Sequence, residues 1–304
     1  MRQPAFLIVL AASSSLIALL ANIYYLGVAD DPRMVKQSAL ALILVTGVFS
    51  AAIYSSVSVS DEISNGTALV TLAKPISRLS FLLGKFAGLA IALLLQVFVQ
   101  VLVALLASRM DFDTYGSPDR VAAFGLFGAI LLAFGLAGLS NFFARRLFIS
   151  DAVIGLGSLI AIAFIAINFI DREGQVQPFG AGIDWRILPA AALIYAALLV
   201  LAAIALACST RLEMAPSLAI CACLFMLGLV SDYFFGQSSS DGSISAIALR
   251  TIIPNWQLFW IADALYGERT VPWSYVTNAF GYAVAYLVFA LSLAMAMFED
   301  RELS

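Results

Sequence analysis

The residues best placed to do chemistry lie in one polar segment between two apolar runs, Ser60-Asp61-Glu62-Ile63-Ser64-Asn65-Gly66-Thr67-Ala68-Leu69-Val70-Thr71-Leu72-Ala73-Lys74-Pro75-Ile76-Ser77-Arg78. Asn65-Gly66 is a turn signal, and Thr67 can cap a helix that follows it. Leu69, Leu72 and Ala73 recur at helical spacing on one face. Pro75 forces Lys74 out of helical geometry and stops the helix there. The pattern predicts a short amphipathic helix on a membrane surface, with Asp61 and Glu62 before it and Lys74, Arg78 and Lys85 after it. Acids before a helix and bases after it suit the helix dipole. Such a helix makes and breaks no bonds. Taken alone, it fits a plain interfacial loop on the membrane surface.

Elsewhere the chemistry is sparse. The chain has no His, which removes the commonest general base and metal ligand. No nucleophile–base pair and no metal-ligand cluster can be assembled. No run matches G-x-x-x-x-G-K-[ST], since Gly84-Lys85 is followed by Phe86 and no Gly stands five residues before Gly84. The chain therefore has no phosphate-cradling loop of its own, and ATP energy would have to come from another chain. Cys208, Cys221 and Cys223 lie in or beside apolar runs and read as packing residues. Gln96 and Gln100 are four apart and share a helix face. Interhelical hydrogen bonding is the plainer reading; a lining for an amphipathic substrate path is the other.

The elements that must position these residues are membrane helices. Of the 304 residues, 62% are apolar and only 12% charged, with a net charge of -3. Mean hydropathy is +1.00. A soluble domain carries roughly twice that charged fraction, so an ordinary cytosolic enzyme, a nucleic-acid binder and a disordered chain are excluded. A bilayer core needs about 20 apolar residues per helix. Eight runs qualify: Ala5–Leu26, Gln37–Val59, Ser80–Ala107, Val121–Phe143, Ala152–Ile170, Ile187–Cys208, Pro216–Phe235 and Tyr275–Phe298. A cleaved leader is the competing reading of the first, but the run is longer than a leader's apolar region. Gly125, Gly128, Gly135 and Gly138 put small residues along the fourth run, and Gly84 and Gly88 do so at the start of the third, a pattern for close helix approach.

The stretch 236–272 reads as an extracytoplasmic loop. It opens on Gln237-Ser238-Ser239-Ser240-Asp241-Gly242, and Arg250, Pro254, Asn255 and Asp263 interrupt the apolar Ile244–Tyr266. Trp256 and Trp260 share a helix face, as interfacial aromatics do. The expectation is a surface-lying or re-entrant helix rather than a ninth span. An even number of spans puts both termini on one side. Lys and Arg divide 8 against 8 between the two sides, so charge does not choose which.

The segment from Asp61 to Lys85 resembles the cytoplasmic loop of ABC-2 type transporter permeases. That family shows an acid pair (Asp61, Glu62), Gly-Thr (Gly66, Thr67), a leucine-bearing helix (Leu69, Leu72), Pro-Ile-Ser-Arg (Pro75 to Arg78) and Gly-Lys opening the next span (Gly84, Lys85). Cys208-Ser209-Thr210-Arg211 resembles its turn before the penultimate span. Pro254-Asn255-Trp256 and Phe298-Glu299-Asp300-Arg301-Glu302-Leu303 resemble its C-terminal pattern. The subgroup most similar is the nitrous-oxide-reductase copper-maturation type. The resemblance implies an all-α, polytopic fold and a single permease domain over 1–304, in the inner membrane with both termini cytoplasmic. It implies a coupling-helix loop at 60–79 that docks on a separate ATPase through Asp61, Glu62, Gly66, Thr67, Lys74, Pro75 and Arg78. Two ATPase copies would hold ATP and Mg, a second permease subunit would complete the transporter, and this chain would bind no cofactor, metal or nucleic acid. The family's common permease has six spans; the pair 121–170, joined at Arg145-Arg146, would be an addition.

The function this favours is the membrane subunit of an ABC exporter, with Gln96 and Gln100 on a path for a lipidic or amphipathic cargo. A secondary transporter or channel would need charge inside the bilayer, which the runs lack. An intramembrane enzyme would need a clustered catalytic set. A non-transporting scaffold on the same fold is the remaining alternative.

Overall fold

The computed structural model describes residues 4–22, 31–64, 77–110, 119–240, 253–262 and 270–299, with side chains omitted at 31–33, 59–64, 232–240 and 299. Among the described residues eight α-helices follow one another: α1 (Pro4–Leu20), α2 (Asp31–Ser64), α3 (Arg78–Met110), α4 (Arg120–Ala144), α5 (Phe148–Asn168), α6 (Ile187–Ser209), α7 (Met214–Ser240) and α8 (Trp273–Glu299). A 3-10 turn at Trp256–Leu258 stands between the last two. An isolated bridge, Ile170 to Val176, is the only β pairing among the described residues. The protein is an all-α polytopic membrane protein. Among the described residues seven helices are long and apolar enough to cross a bilayer, and α1, at 17 residues, is a shorter apolar helix.

In hydrocarbon a backbone must bond to itself, so even valine-rich sequence becomes helix. Val97, Val99, Val101 and Val103 accordingly sit inside α3 despite their modest helix propensity. Several boundaries differ from the sequence reading. α2 runs through Ser60, Asp61, Glu62, Ile63 and Ser64, which had read as the start of the polar loop. Its 34 residues span about 50 Å, so polar residues can extend the helix beyond the ~30 Å apolar layer without being buried in it. For the same reason α7 continues through Gln237–Ser240, which had read as loop.

The chain divides into two compact units: residues 1–47, 94–191 and 262–271 form one, and 48–93, 192–261 and 272–304 the other. In the first, α4 and α5 pack along each other and α1 packs against both. A Cβ on Gly155 would lie 3.5 Å from Ala133, and one on Gly125 2.8 Å from Ile167, so missing side chains permit the close α4–α5 approach. Gly128, Gly135 and Gly138 face open space instead. One end of this unit is polar. Arg109 pairs with Asp119 at 2.7 Å, both buried, and Asp184 takes Lys36 at 2.5 Å and Arg186 at 2.8 Å. The loop after α5 is shaped by Gln177, whose amide donates to the carbonyls of Asn168, Ile170 and Ala181. Gly180 has φ +81° and lies under the Trp185 indole, where a Cβ would come within 2.9 Å.

In the second unit α6 is the most deeply set element. Leu198, Val200, Leu201, Ala202, Ala203, Ala205 and Leu206 are all buried, and the alanines let neighbours approach. The Ser55 hydroxyl donates to the Ala202 carbonyl at 3.1 Å and the Tyr195 hydroxyl to that of Ala90 at 3.1 Å. Leu82, Leu206, Ala207 and Ala294 form a core with Phe86, Leu291 and Met295 around it.

Candidate functional site

The second unit brings together three stretches that are far apart in sequence. Two carbonyls in the last described turn of α8 accept side-chain donors from the other two stretches. The Arg211 Nε donates to the Met297 carbonyl at 2.7 Å, and the Arg78 Nη1 donates to the Phe298 carbonyl at 3.2 Å. Cations at a helix C-terminus also meet the negative end of its dipole. The Arg78 guanidinium lies 5.8 Å from the Phe298 ring centre, and Phe81 stacks on Phe298 at 5.9 Å. Lys85 lies 5.6 Å over the Phe81 ring. The start of α3, the turn after α6 and the end of α8 are thus clasped by two arginines and a stacked aromatic pair. The three stretches that resemble the permease pattern in sequence meet here. Sequence reading named Arg78 for docking only and missed the clasp. Its signal was the set Arg78, Arg211 and Phe298, each at a span end.

Of the residues assigned to coupling, Gly66, Thr67, Lys74 and Pro75 lie outside the described residues. Asp61 and Glu62 lie in the last turn of α2.

Gln96 and Gln100 lie in the first unit, near the middle of α3 by count of residues, and both are fully buried. Gln100 Nε2 donates to Ser13 Oγ on α1 at 2.6 Å and to Thr46 Oγ1 on α2 at 2.9 Å, tying three helices. Ser13 in turn donates to the Val9 carbonyl, and Thr46 to that of Leu42. Gln100 Oε1 has no partner, and neither amide atom of Gln96 has one. A buried amide without a partner costs roughly 1–3 kcal/mol. Gln96 thus lies on the same face of α3 as Gln100, with both atoms of its buried amide unpartnered. No group of three or more metal-ligating side chains occurs among the described residues.

The segment 253–262 holds a second polar set in the second unit. The hydroxyls of Tyr275 and Tyr286 donate to the carbonyls of Leu258 and Ile253, and the Asn255 N–H donates to the Tyr282 hydroxyl. Trp256 donates from its indole to the Leu224 carbonyl of α7 and is buried against Phe225 and Phe259. Trp256 is thus a buried anchor, and the described part of this stretch holds a 3-10 turn at Trp256–Leu258. The position sequence reading missed is Gly228. A Cβ there would lie 2.4 Å from the Pro254 carbonyl oxygen and from the Trp256 ring, so glycine makes the docking possible.

Long apolar helices whose ends are clasped by cations define a multi-pass α-helical membrane protein. Residues 6–147, just under half of the chain, match the family model of the ABC-2 family transporter protein. The match takes in α4, the first helix of the pair that had read as an addition to a six-span core. No curated protein and no solved structure matches the chain.

Proposed function

We propose that the chain is the membrane subunit of an ABC exporter in the inner membrane, with both termini cytoplasmic. The subunit works as one of a pair, alongside two copies of a separate ATPase that hold ATP and Mg. The observation that carries this reading is the clasp at Arg78, Arg211 and Phe298. It lies at the end of the stretch 60–79, where the ATPase would dock through Asp61, Glu62, Gly66, Thr67, Lys74, Pro75 and Arg78. Closure of the ATPases on ATP moves that stretch. Because Arg78 is bonded to the end of α8, the start of α3 and the end of α8 move together as one body. α3 carries Gln96 and Gln100 further along its length, and the unpaired Gln96 amide meets the uncharged polar groups of an amphipathic cargo. The subgroup that handles copper maturation of nitrous-oxide reductase is the family branch this favours.

Substrate-stimulated ATP hydrolysis by the assembled transporter tests the reading. Glu62→Ala and Arg78→Ala are expected to lower stimulation while the chain still inserts in the membrane. Unchanged stimulation in both variants would remove the coupling role. The alternatives read the same helices as a secondary transporter or a scaffold. Transport driven by an ion gradient without ATP would favour the former, and an ATPase partner bound without any transport would favour the latter.

A further inference from the structure

The turn between α4 and α5 is three residues, Arg145, Arg146 and Leu147. Arg145 has φ 51° and ψ 31°, the left-handed conformation. Helices commonly end on such a residue, but glycine usually supplies it because a side chain is strained there. Here the position holds the bulkiest cation available. Asn141 locks the turn, its Nδ2 donating to the Arg146 carbonyl at 2.7 Å. Asp151, the nearest acid on α5, is bonded instead to the Ser140 hydroxyl. Neither guanidinium has a hydrogen-bond or ion-pair partner among the described residues. Two adjacent cations are therefore held exposed, the first at a cost in backbone strain, with nothing among the described residues to receive them.

Their surroundings say what does receive them. Phe142, Phe143 and Leu147 are 78%, 76% and 61% exposed, and the two rings sit edge to face 5.0 Å apart. Such a patch beside two arginines is amphipathic, with an apolar rim below and positive charge above. α5 has 21 residues, about 31 Å by its rise, which matches the apolar core of a bilayer. The turn therefore sits at the level of the headgroups. Its three residues do not project far enough to reach a soluble partner beyond that layer. The first N–H groups of α5 have no side-chain cap, which adds positive potential at the same place.

We infer that the Arg145–Arg146 turn is a binding site for the phosphodiester headgroup of an anionic phospholipid, with Phe142, Phe143 and Leu147 seated among its acyl chains. The inference does not rest on coupling to an ATPase. Each cation near an anionic surface is worth about fivefold in affinity, so the pair gives about thirtyfold selectivity over a zwitterionic lipid.

Native mass spectrometry of the full chain, released from mixed micelles of phosphatidylglycerol and phosphatidylcholine, tests this. The wild-type chain is expected to retain phosphatidylglycerol preferentially. R145Q/R146Q is expected to lose that preference, and R145K/R146K to keep most of it. R145G satisfies the left-handed backbone, so it should fold at least as well as wild type while binding the anionic lipid several-fold less. This separates lipid binding from folding should the double variant not accumulate. Millimolar inorganic phosphate should not displace the lipid. Equal phosphatidylglycerol retention in wild type and R145G would overturn the proposal. So would displacement by free phosphate, or a loss of co-purifying ATPase in the double variant with lipid selectivity unchanged.

Discussion

Replacing Asp119 tests how the end of the first unit is held. Its carboxylate does two jobs. Oδ2 pairs with Arg109 Nε at 2.7 Å, and Oδ1 accepts from the Ala122 N–H at 2.9 Å, capping α4. Arg109 is 3% exposed, and its Nη1 donates to the Ile167 carbonyl at the end of α5. Asp119→Ala strands a buried guanidinium, which costs about 3–5 kcal/mol, and removes a cap worth about 1 kcal/mol. A loss of about 4–6 kcal/mol is expected. At about 2 °C per kcal/mol for a chain of this size, Tm should fall by about 8–12 °C. Asp119→Asn keeps the cap and a neutral acceptor and should lose about half as much. The pair Arg109→Met with Asp119→Ser removes both charges and keeps a capping oxygen. It should return to within about 2 kcal/mol of wild type, because deleting a buried pair costs far less than breaking one. Thermal unfolding in detergent, followed by size-exclusion recovery, measures all three. A Tm for Asp119→Ala within 2 °C of wild type would refute the reasoning, as would a double variant no more stable than that single one.

Gly228→Ala places a methyl 2.4 Å from the Pro254 carbonyl and the Trp256 ring. A loss of about 1–3 kcal/mol and a red-shifted tryptophan emission are expected, and unshifted emission would contradict the docking. Gln96→Leu removes an unpaired buried amide. It should stabilise the chain by about 1–3 kcal/mol while lowering transport, and a destabilised variant would mean that the amide is satisfied. Burial raises the Asp184 carboxyl, but hydrogen bonds from Arg186 and Lys36, with the Lys36 charge, outweigh it and hold the group at about 2. A carboxyl held below its unfolded value stabilises the fold at pH above the ordinary range near 4, and that stability is lost as pH falls through about 2. Asp184→Asn should therefore cost on the order of 1–2 kcal/mol at pH 7, discounted for its partial exposure. The deficit should close between pH 4 and pH 2 in a Tm series, and a constant deficit over that range would count against the ion pair.

The membrane helices were legible because burial in hydrocarbon is a composition signal, and each apolar run became a helix. Their ends were not. Ser60 to Ser64 looked like loop because polar residues mark the edge of the apolar layer, whereas the helix ends only where backbone geometry changes. Arg109 and Asp119, ten residues apart across a span end, carried a legible clue, since a cation at the end of an apolar run needs an acceptor. Gly228 could not be found, because its reason is Trp256, which reaches it only in the fold. The same holds for Arg78 and Arg211. Their chemistry as helix-end donors is visible in sequence, but the carbonyls they serve, at Met297 and Phe298, belong to a helix some 90 to 220 residues further on. The Arg145-Arg146 pair read only as a connection, because its left-handed backbone leaves no mark in residue type.

The central claim is that the stretch 60–79 joins this chain to an ATPase. The most direct measurement is affinity purification of the chain from its native membranes in mild detergent, with ATP and vanadate present, followed by mass spectrometry of what comes with it. The expected result is an ATPase bearing a phosphate-binding loop, in one-to-one ratio with the chain. That partner should be lost in Gly66→Val, which obstructs close backbone approach while membrane insertion survives. Purification of the chain without any such ATPase, or with the ATPase held equally well by Gly66→Val, would contradict the account.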